Sequence, residues 1–130
     1  MVRKAAALII KDKKLLIVKP KDKPYYINPG GKYEQGETAE QCLKRELLEE
    51  LQINFISFKY YKTYNFEKAA HADVPLVLEL YFVDIVGNIA PFSEIEKVDW
   101  LSREDFETKK FNLAPSFQTY IPDLIKERII

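Results

Sequence analysis

A chain of 130 residues with 20 Lys and Arg against 20 Asp and Glu carries no formal net charge, and 47% of it is hydrophobic. That is a globular composition with room for one core of the usual ~100–150 residues, and neutrality removes the basic footprint of a protein that binds bulk nucleic acid. Cys42 is the only cysteine, which excludes an internal disulfide, and no apolar run approaches the ~20 residues of a membrane span. The opening Met1-Val2-Arg3-Lys4 leads directly into strand-like sequence with no cleavage motif. The expectation is a cytoplasmic protein, one domain over residues 1–130, without membrane contact. Nothing in the chain distinguishes a monomer from a homodimer.

In chain order, residues 5–10 and 15–18 are apolar runs separated by Lys11-Asp12-Lys13-Lys14, which predicts two strands and a polar hairpin turn. Residues 20–24 read as a solvated loop. Residues 25–27 are a brief aromatic strand, stopped by Asn28-Pro29-Gly30-Gly31. Residues 38–51 hold no Gly or Pro and open on Thr38, a good helix cap, so the segment is predicted helical. Residues 53–58 and 59–66 form one long or two short strands, and residues 67–73 form a polar loop containing His71, the only histidine. Leu76–Val86 is nearly continuous in apolar residues and predicts a central strand covered on both faces, ended by Gly87-Asn88. Residues 98–101 are another short strand, and Ser102 caps a helical turn over residues 103–106. Phe117, Tyr120, Ile121, Leu124, Ile125 and Ile129 recur at helical spacing, with a helix that either begins near Pro122 or is kinked by it. The order strands, helix, strands, helix indicates an α/β (α+β) fold with a mixed sheet.

The neutral total conceals an acidic cluster. Six glutamates (Glu34, Glu37, Glu40, Glu46, Glu49 and Glu50) face only Lys44 and Arg45 within their segment. At ~100° per residue, Glu46, Glu49 and Glu50 share an arc of about 100°, beside the apolar stripe Ala39, Leu43, Leu47 and Leu51. Carboxylates crowded beside a buried stripe repel one another unless a cation balances them. Hard divalent cations such as Mg²⁺ take just such oxygen ligands, often together with substrate phosphates.

Spacing narrows the reading. From Gly31 the chain runs five residues to Glu37, seven more to Arg45, then Glu46-Leu47-Leu48-Glu49-Glu50-Leu51-Gln52-Ile53. This resembles the Nudix box, G-x5-E-x7-R-E-U-x-E-E-x-G-U with U apolar, of the Nudix hydrolases, in its MutT-type form. Six fixed matches at ordinary residue frequencies arise by chance about once in 10⁷ start positions. One position departs: Gln52 stands where the family has glycine. Either Gln52 takes the left-handed conformation at a cost of about 1 kcal/mol, or the turn shifts to Asn54.

The resemblance implies an α/β/α sandwich whose loop–helix–loop holds Mg²⁺ or Mn²⁺ and which hydrolyses a nucleoside diphosphate linked to another group. Carried over by position, Glu46, Glu49 and Glu50 are the metal ligands, one of the last two activating water. Arg45 orients a glutamate, and Glu37 braces the loop. Gly30 and Gly31 allow a tight turn, and Lys32 is placed for a phosphate. Glu94, before the strand at Trp100, is the candidate ligand or general base outside the box, with Glu96 as fallback. Tyr26, Asn28 and Asn112 sit where MutT-type proteins place base-pocket residues; partly buried Tyr and turn-forming Asn are the plainer readings. The small-molecule nucleotide expected is a nucleoside triphosphate, an oxidised one such as 8-oxo-dGTP included. The alternatives are ADP-ribose or dinucleoside polyphosphate hydrolysis, or a non-catalytic nucleotide sensor.

Overall fold

The computed structural model describes residues 1–69 and 72–130, so His71 lies outside the described residues. The elements are β1 (Val2–Leu8), β2 (Ile10–Lys11), β3 (Lys14–Pro20), β4 (Gly30–Lys32), α1 (Ala39–Leu51), β5 (Asn54–Phe66), β6 (Leu76–Val86), β7 (Ile95–Leu101), α2 (Arg103–Glu107) and α3 (Phe117–Lys126). One mixed sheet has the order β4-β1-β6-β5, with β1 and β6 parallel; a second, antiparallel sheet has the order β2-β3-β7. No helix among the described residues is long and apolar enough to cross a membrane.

Strand alternation builds two cores. Ala6, Leu8, Leu15, Ile17, Leu78 and Leu80 pack with Phe117, Tyr120, Ile121 and Leu124 of α3. Their neighbours Ala5, Ala7, Ile9, Leu16, Val18 and Val83 pack with Cys42, Leu43, Leu47 and Leu51 of α1. Successive side chains on a strand point to opposite faces, so α1 and α3 lie on opposite sides of the sheets. This is the α/β/α layering the resemblance implies, and β6 takes its central place between β1 and β5.

Several elements differ from the sequence reading. The apolar run 5–10 is not one strand: β1 joins the four-stranded sheet and β2 the three-stranded one, with Ile9 between them. Asp12 and Lys13, at φ 51 and 60, close the β2–β3 hairpin in the left-handed conformation that matches strand twist. The Gly30–Gly31 stop is itself strand, with Ala5 opposite Gly31 and Ala6 opposite Gly30. β5 is one strand with two register shifts, between Phe55 and Ser57 and between Tyr60 and Lys62. β7 starts at Ile95, and α3 starts at Phe117 with Pro122 inside it.

Candidate active site

Helix α1 begins with a capping box: Thr38 Oγ1 accepts from Gln41 N–H at 3.2 Å, and Gln41 Oε1 accepts from Thr38 N–H at 2.9 Å. Burial of Cys42, Leu43, Leu47 and Leu51 fixes its rotation and turns Glu46 and Glu50 towards β4. It ends at Gln52, whose φ of 53 is left-handed and whose N–H reaches the Leu48 carbonyl at 3.1 Å. The helix therefore exits at the position where the box has glycine.

Arg45 organises the loop. Its Nε and Nη2 grip both oxygens of Glu37 at 2.7 and 2.9 Å. Its Nη1 donates to Glu46 Oε1 at 2.8 Å and lies 3.5 Å from Glu49, while Nη2 also reaches the Lys32 carbonyl at 3.0 Å. Glu37 accepts a further bond from the Glu34 N–H at 2.7 Å. The guanidinium, followed by that backbone bond, holds the Glu37 carboxyl down at about 2. Glu37 thus ties the loop to the helix.

Glu46 and Glu50 close on the two glycines. Glu50 Oε1 accepts from Gly30 N–H at 2.9 Å, and a Cβ on Gly31 would stand 2.6 Å from Glu46 Oε1. Burial raises both carboxyls, Glu50 to about 8. Glu49 is exposed. Glu94 is also exposed, in a turn whose backbone is fastened beside the end of α1: Phe92 N–H donates to the Glu50 carbonyl at 3.0 Å, and Lys21 N–H to the Glu94 carbonyl at 2.7 Å. Glu96 instead pairs with Lys19 at 3.4 Å.

Among the described residues no three acidic, His or Cys side chains are grouped tightly enough to enclose an ion. The donor set nonetheless fits a hard divalent cation. It is all oxygen, and it contains two carboxyls whose burial opposes their ionisation. A side chain on Gly31 would have to displace the Glu46 carboxyl.

Gly30 and Gly31 also border a cavity lined by Lys4, Tyr25, Ile27, Asn28, Leu78 and Ser116 among others. Asn28 is buried there, its Oδ1 accepting from the Tyr120 hydroxyl. Tyr26 does not line this cavity. Its hydroxyl donates to Asp99 at 2.5 Å, its ring meets Phe111 edge-on, and burial followed by the Asp99 bond pushes it up to about 12. Asn112 also lies elsewhere, its amide donating to the Pro24 carbonyl at 2.7 Å. The Lys32 residue is exposed at the end of β4. Gly30, Gly31, Glu37, Arg45, Glu46 and Glu50 come together, and Asn28 adjoins them.

The sequence reading gave no site role to Lys4, Tyr25 or Tyr120, nor to a cluster around the buried Glu79 on the α1 side of the sheet. There Glu79 accepts from Arg3 Nε at 2.7 Å and from the Tyr33 hydroxyl, with Arg3 stacked 4.2 Å over the Tyr33 ring. The available signal was a lone glutamate inside the apolar run of β6.

The family model for the NUDIX domain matches residues 1–124, and the chain belongs to that family. The 8-oxo-dGTP diphosphatase of Haemophilus influenzae is 51% identical over 39 residues, 30% of this chain and 29% of that protein. The protein of the same name from Buchnera aphidicola is 36% identical over 59 residues, 42% of this chain and 45% of that one. The matches therefore span less than half the length of either relative. The solution structure of the E. coli ORF135 protein superposes with a TM-score of 0.79 at 28% identity, covering 98% of this chain and 91% of that one.

Proposed function

We propose that this protein is a divalent-metal-dependent pyrophosphohydrolase that converts a nucleoside triphosphate, such as the oxidised 8-oxo-dGTP, to the monophosphate and pyrophosphate. The observation that carries the reading is the Gly30–Gly31 pair of β4: carboxyls of Glu46 and Glu50 close on it, and a largely apolar cavity borders it. A site of this kind brings a nucleotide's phosphates and its base to adjoining places.

Glu46, Glu49 and Glu50 would hold Mg²⁺ or Mn²⁺. The bound ion would neutralise the polyphosphate and stabilise the attacking and leaving oxygens. Arg45 holds Glu46 in place while Glu37 holds Arg45, so the loop keeps its shape as charge enters. Exposed Glu49 is the side chain that takes the proton of the attacking water, with Glu94 as the second proton acceptor from the fastened turn. Lys32 meets the departing phosphates. A preorganised donor and acceptor set is what accelerates phosphoryl chemistry, which needs little from the protein beyond position and charge.

The test is a chromatographic screen for nucleotide products from nucleoside triphosphates, ADP-ribose and dinucleoside polyphosphates, with Mg²⁺ or Mn²⁺. Turnover of a triphosphate, lowered about 10²-fold or more by Glu49→Gln, is the expected outcome. No turnover across the panel overturns the activity. Tight nucleotide binding untouched by Glu49→Gln establishes a sensor instead.

A further inference from the structure

The two ends of the Asn28 amide have different fates. The residue is 8% exposed, and its Oδ1 accepts from Tyr120, which is fully buried on α3. Its Nδ2 is buried and has no hydrogen-bond partner among the described residues. Asn28 lines the cavity beside Gly30, whereas Tyr120 does not. With Oδ1 turned to Tyr120, Nδ2 is the unpaired end of an amide whose residue lines the cavity. An unpaired buried donor is costly, on the order of 1–3 kcal/mol, unless a ligand satisfies it.

Tyr120 fixes which end faces the ligand. A phenol in the core stays protonated and must donate, and Asn28 Oδ1 is its acceptor. Rotating the amide by half a turn would set the Tyr120 proton against an N–H and strand it in the core. The other polar side chains of the cavity are Lys4, Lys23 and the hydroxyl-bearing Tyr25 and Ser116, and no carboxylate lines it. Lys4 and Lys32 are directly opposed across β1 and β4, which further disfavours a cationic or donor-rich guest. Apart from the Tyr25 and Ser116 hydroxyls, which donate or accept, the polar side chains of this cavity are donors, set against apolar walls of Ala6, Ile27 and Leu78.

Nucleobases divide on this feature. Guanine, uracil and thymine carry a carbonyl oxygen on the edge where adenine and cytosine carry an amino group. An amino group facing Asn28 Nδ2 leaves two donors opposed, and buried polar groups left unpaired are a strong basis for rejection. We infer that Asn28 is a specificity-determining residue: its Nδ2, locked by Tyr120, selects nucleotides whose base presents a keto oxygen. The inference rests on the proposed nucleotide substrate and names its class.

The test separates binding from turnover. Calorimetry with the α,β-methylene triphosphates of guanosine, uridine, adenosine and cytidine, in Mg²⁺, reads the base preference without hydrolysis. The wild type is expected to bind the guanosine and uridine analogues at least about tenfold more tightly than the other two. Asn28→Asp replaces the donor by an acceptor while keeping an oxygen for Tyr120, and inverts the order. Tyr120→Phe frees the amide to rotate and narrows the gap, with thermal melting confirming a folded protein. Wild-type affinities within threefold of one another, no binding of any analogue, or an order unchanged by both variants overturns the inference. A keto preference in a protein that hydrolyses nothing overturns the proposed activity alone, and hydrolysis without base preference overturns this inference alone.

Discussion

Gly30 and Gly31 are adjacent, yet a methyl group would do different damage at each. Gly30 sits at φ +132, and a Cβ there would stand 2.3 Å from the Ala5 carbonyl oxygen. Backbone of the paired strand cannot yield, so Gly30→Ala is expected to destabilise by about 2 kcal/mol or more in urea unfolding. At Gly31 the obstacle is the Glu46 carboxylate at the end of a flexible side chain. Gly31→Ala should therefore fold, with stability within about 1 kcal/mol of wild type, but displace Glu46 and weaken Mg²⁺ dependence measured by titrating the ion against turnover. Equal effects of the two substitutions on stability would contradict this account. The sequence made these residues visible because the loop and helix impose local spacings, and each partner lies within about twenty positions. It did not separate Tyr25 from Tyr26, because two adjacent aromatics in so short a run, which forms only isolated bridges at Tyr26 and Ile27, carry no parity to say which faces the cavity. Glu79 was hidden for the opposite reason: its partners Arg3 and Tyr33 are 76 and 46 residues away.

Among the elements, α1 was the most legible, since its cap, apolar stripe and carboxylate arc all repeat within one helix. Its two ends make separate predictions. Removing the capping box by Thr38→Ala should lower stability by about 1 kcal/mol, read by thermal or urea unfolding. At the other end Gln52 occupies the left-handed region, where a side chain costs roughly 1–2 kcal/mol and glycine does not. Glycine's greater freedom in the unfolded chain offsets part of that gain, so Gln52→Gly should stabilise by up to about 1 kcal/mol. A loss of stability would show that the Gln52 side chain has a contact its backbone strain conceals. The strands were less legible than the helix. Residues 5–10 are uninterrupted in apolar character because both faces of β1 are buried, and such a run contains no sign of the switch of sheets at Ile9. The short β4 was concealed by its composition, since Gly30 and Gly31 read as a turn until β1 supplies the pairing partner. The start of α3 at Phe117, ahead of Pro122, is likewise set by Phe117, Tyr120, Ile121 and Leu124 packing on the sheet rather than by local propensity.

For the whole molecule, equal numbers of acids and bases mean that no global repulsion opposes folding near neutral pH, so acid stability falls to particular pairs. Most of the ion pairs are exposed, as in Lys44–Glu40 at 3.1 Å with both side chains about half accessible, and contribute little. Glu37 differs: Arg45 holds it from both oxygens, its side chain is 14% exposed, and its carboxyl is held at about 2 against an ordinary 4.5. A carboxyl whose pKa is lower in the folded state stabilises the fold fully above the unfolded value. That contribution is lost as pH falls from about 4.5 through about 2. Glu37→Gln should therefore lower stability at pH 7, with a gap from wild type that is constant down to about pH 5 and then closes towards pH 2. Urea unfolding across that range measures the gap, and Glu40→Gln serves as the control, with a small effect suppressed by salt. A gap between wild type and Glu37→Gln that persists undiminished at pH 2 would mean that shape, not the charge on Glu37, holds the loop to the helix.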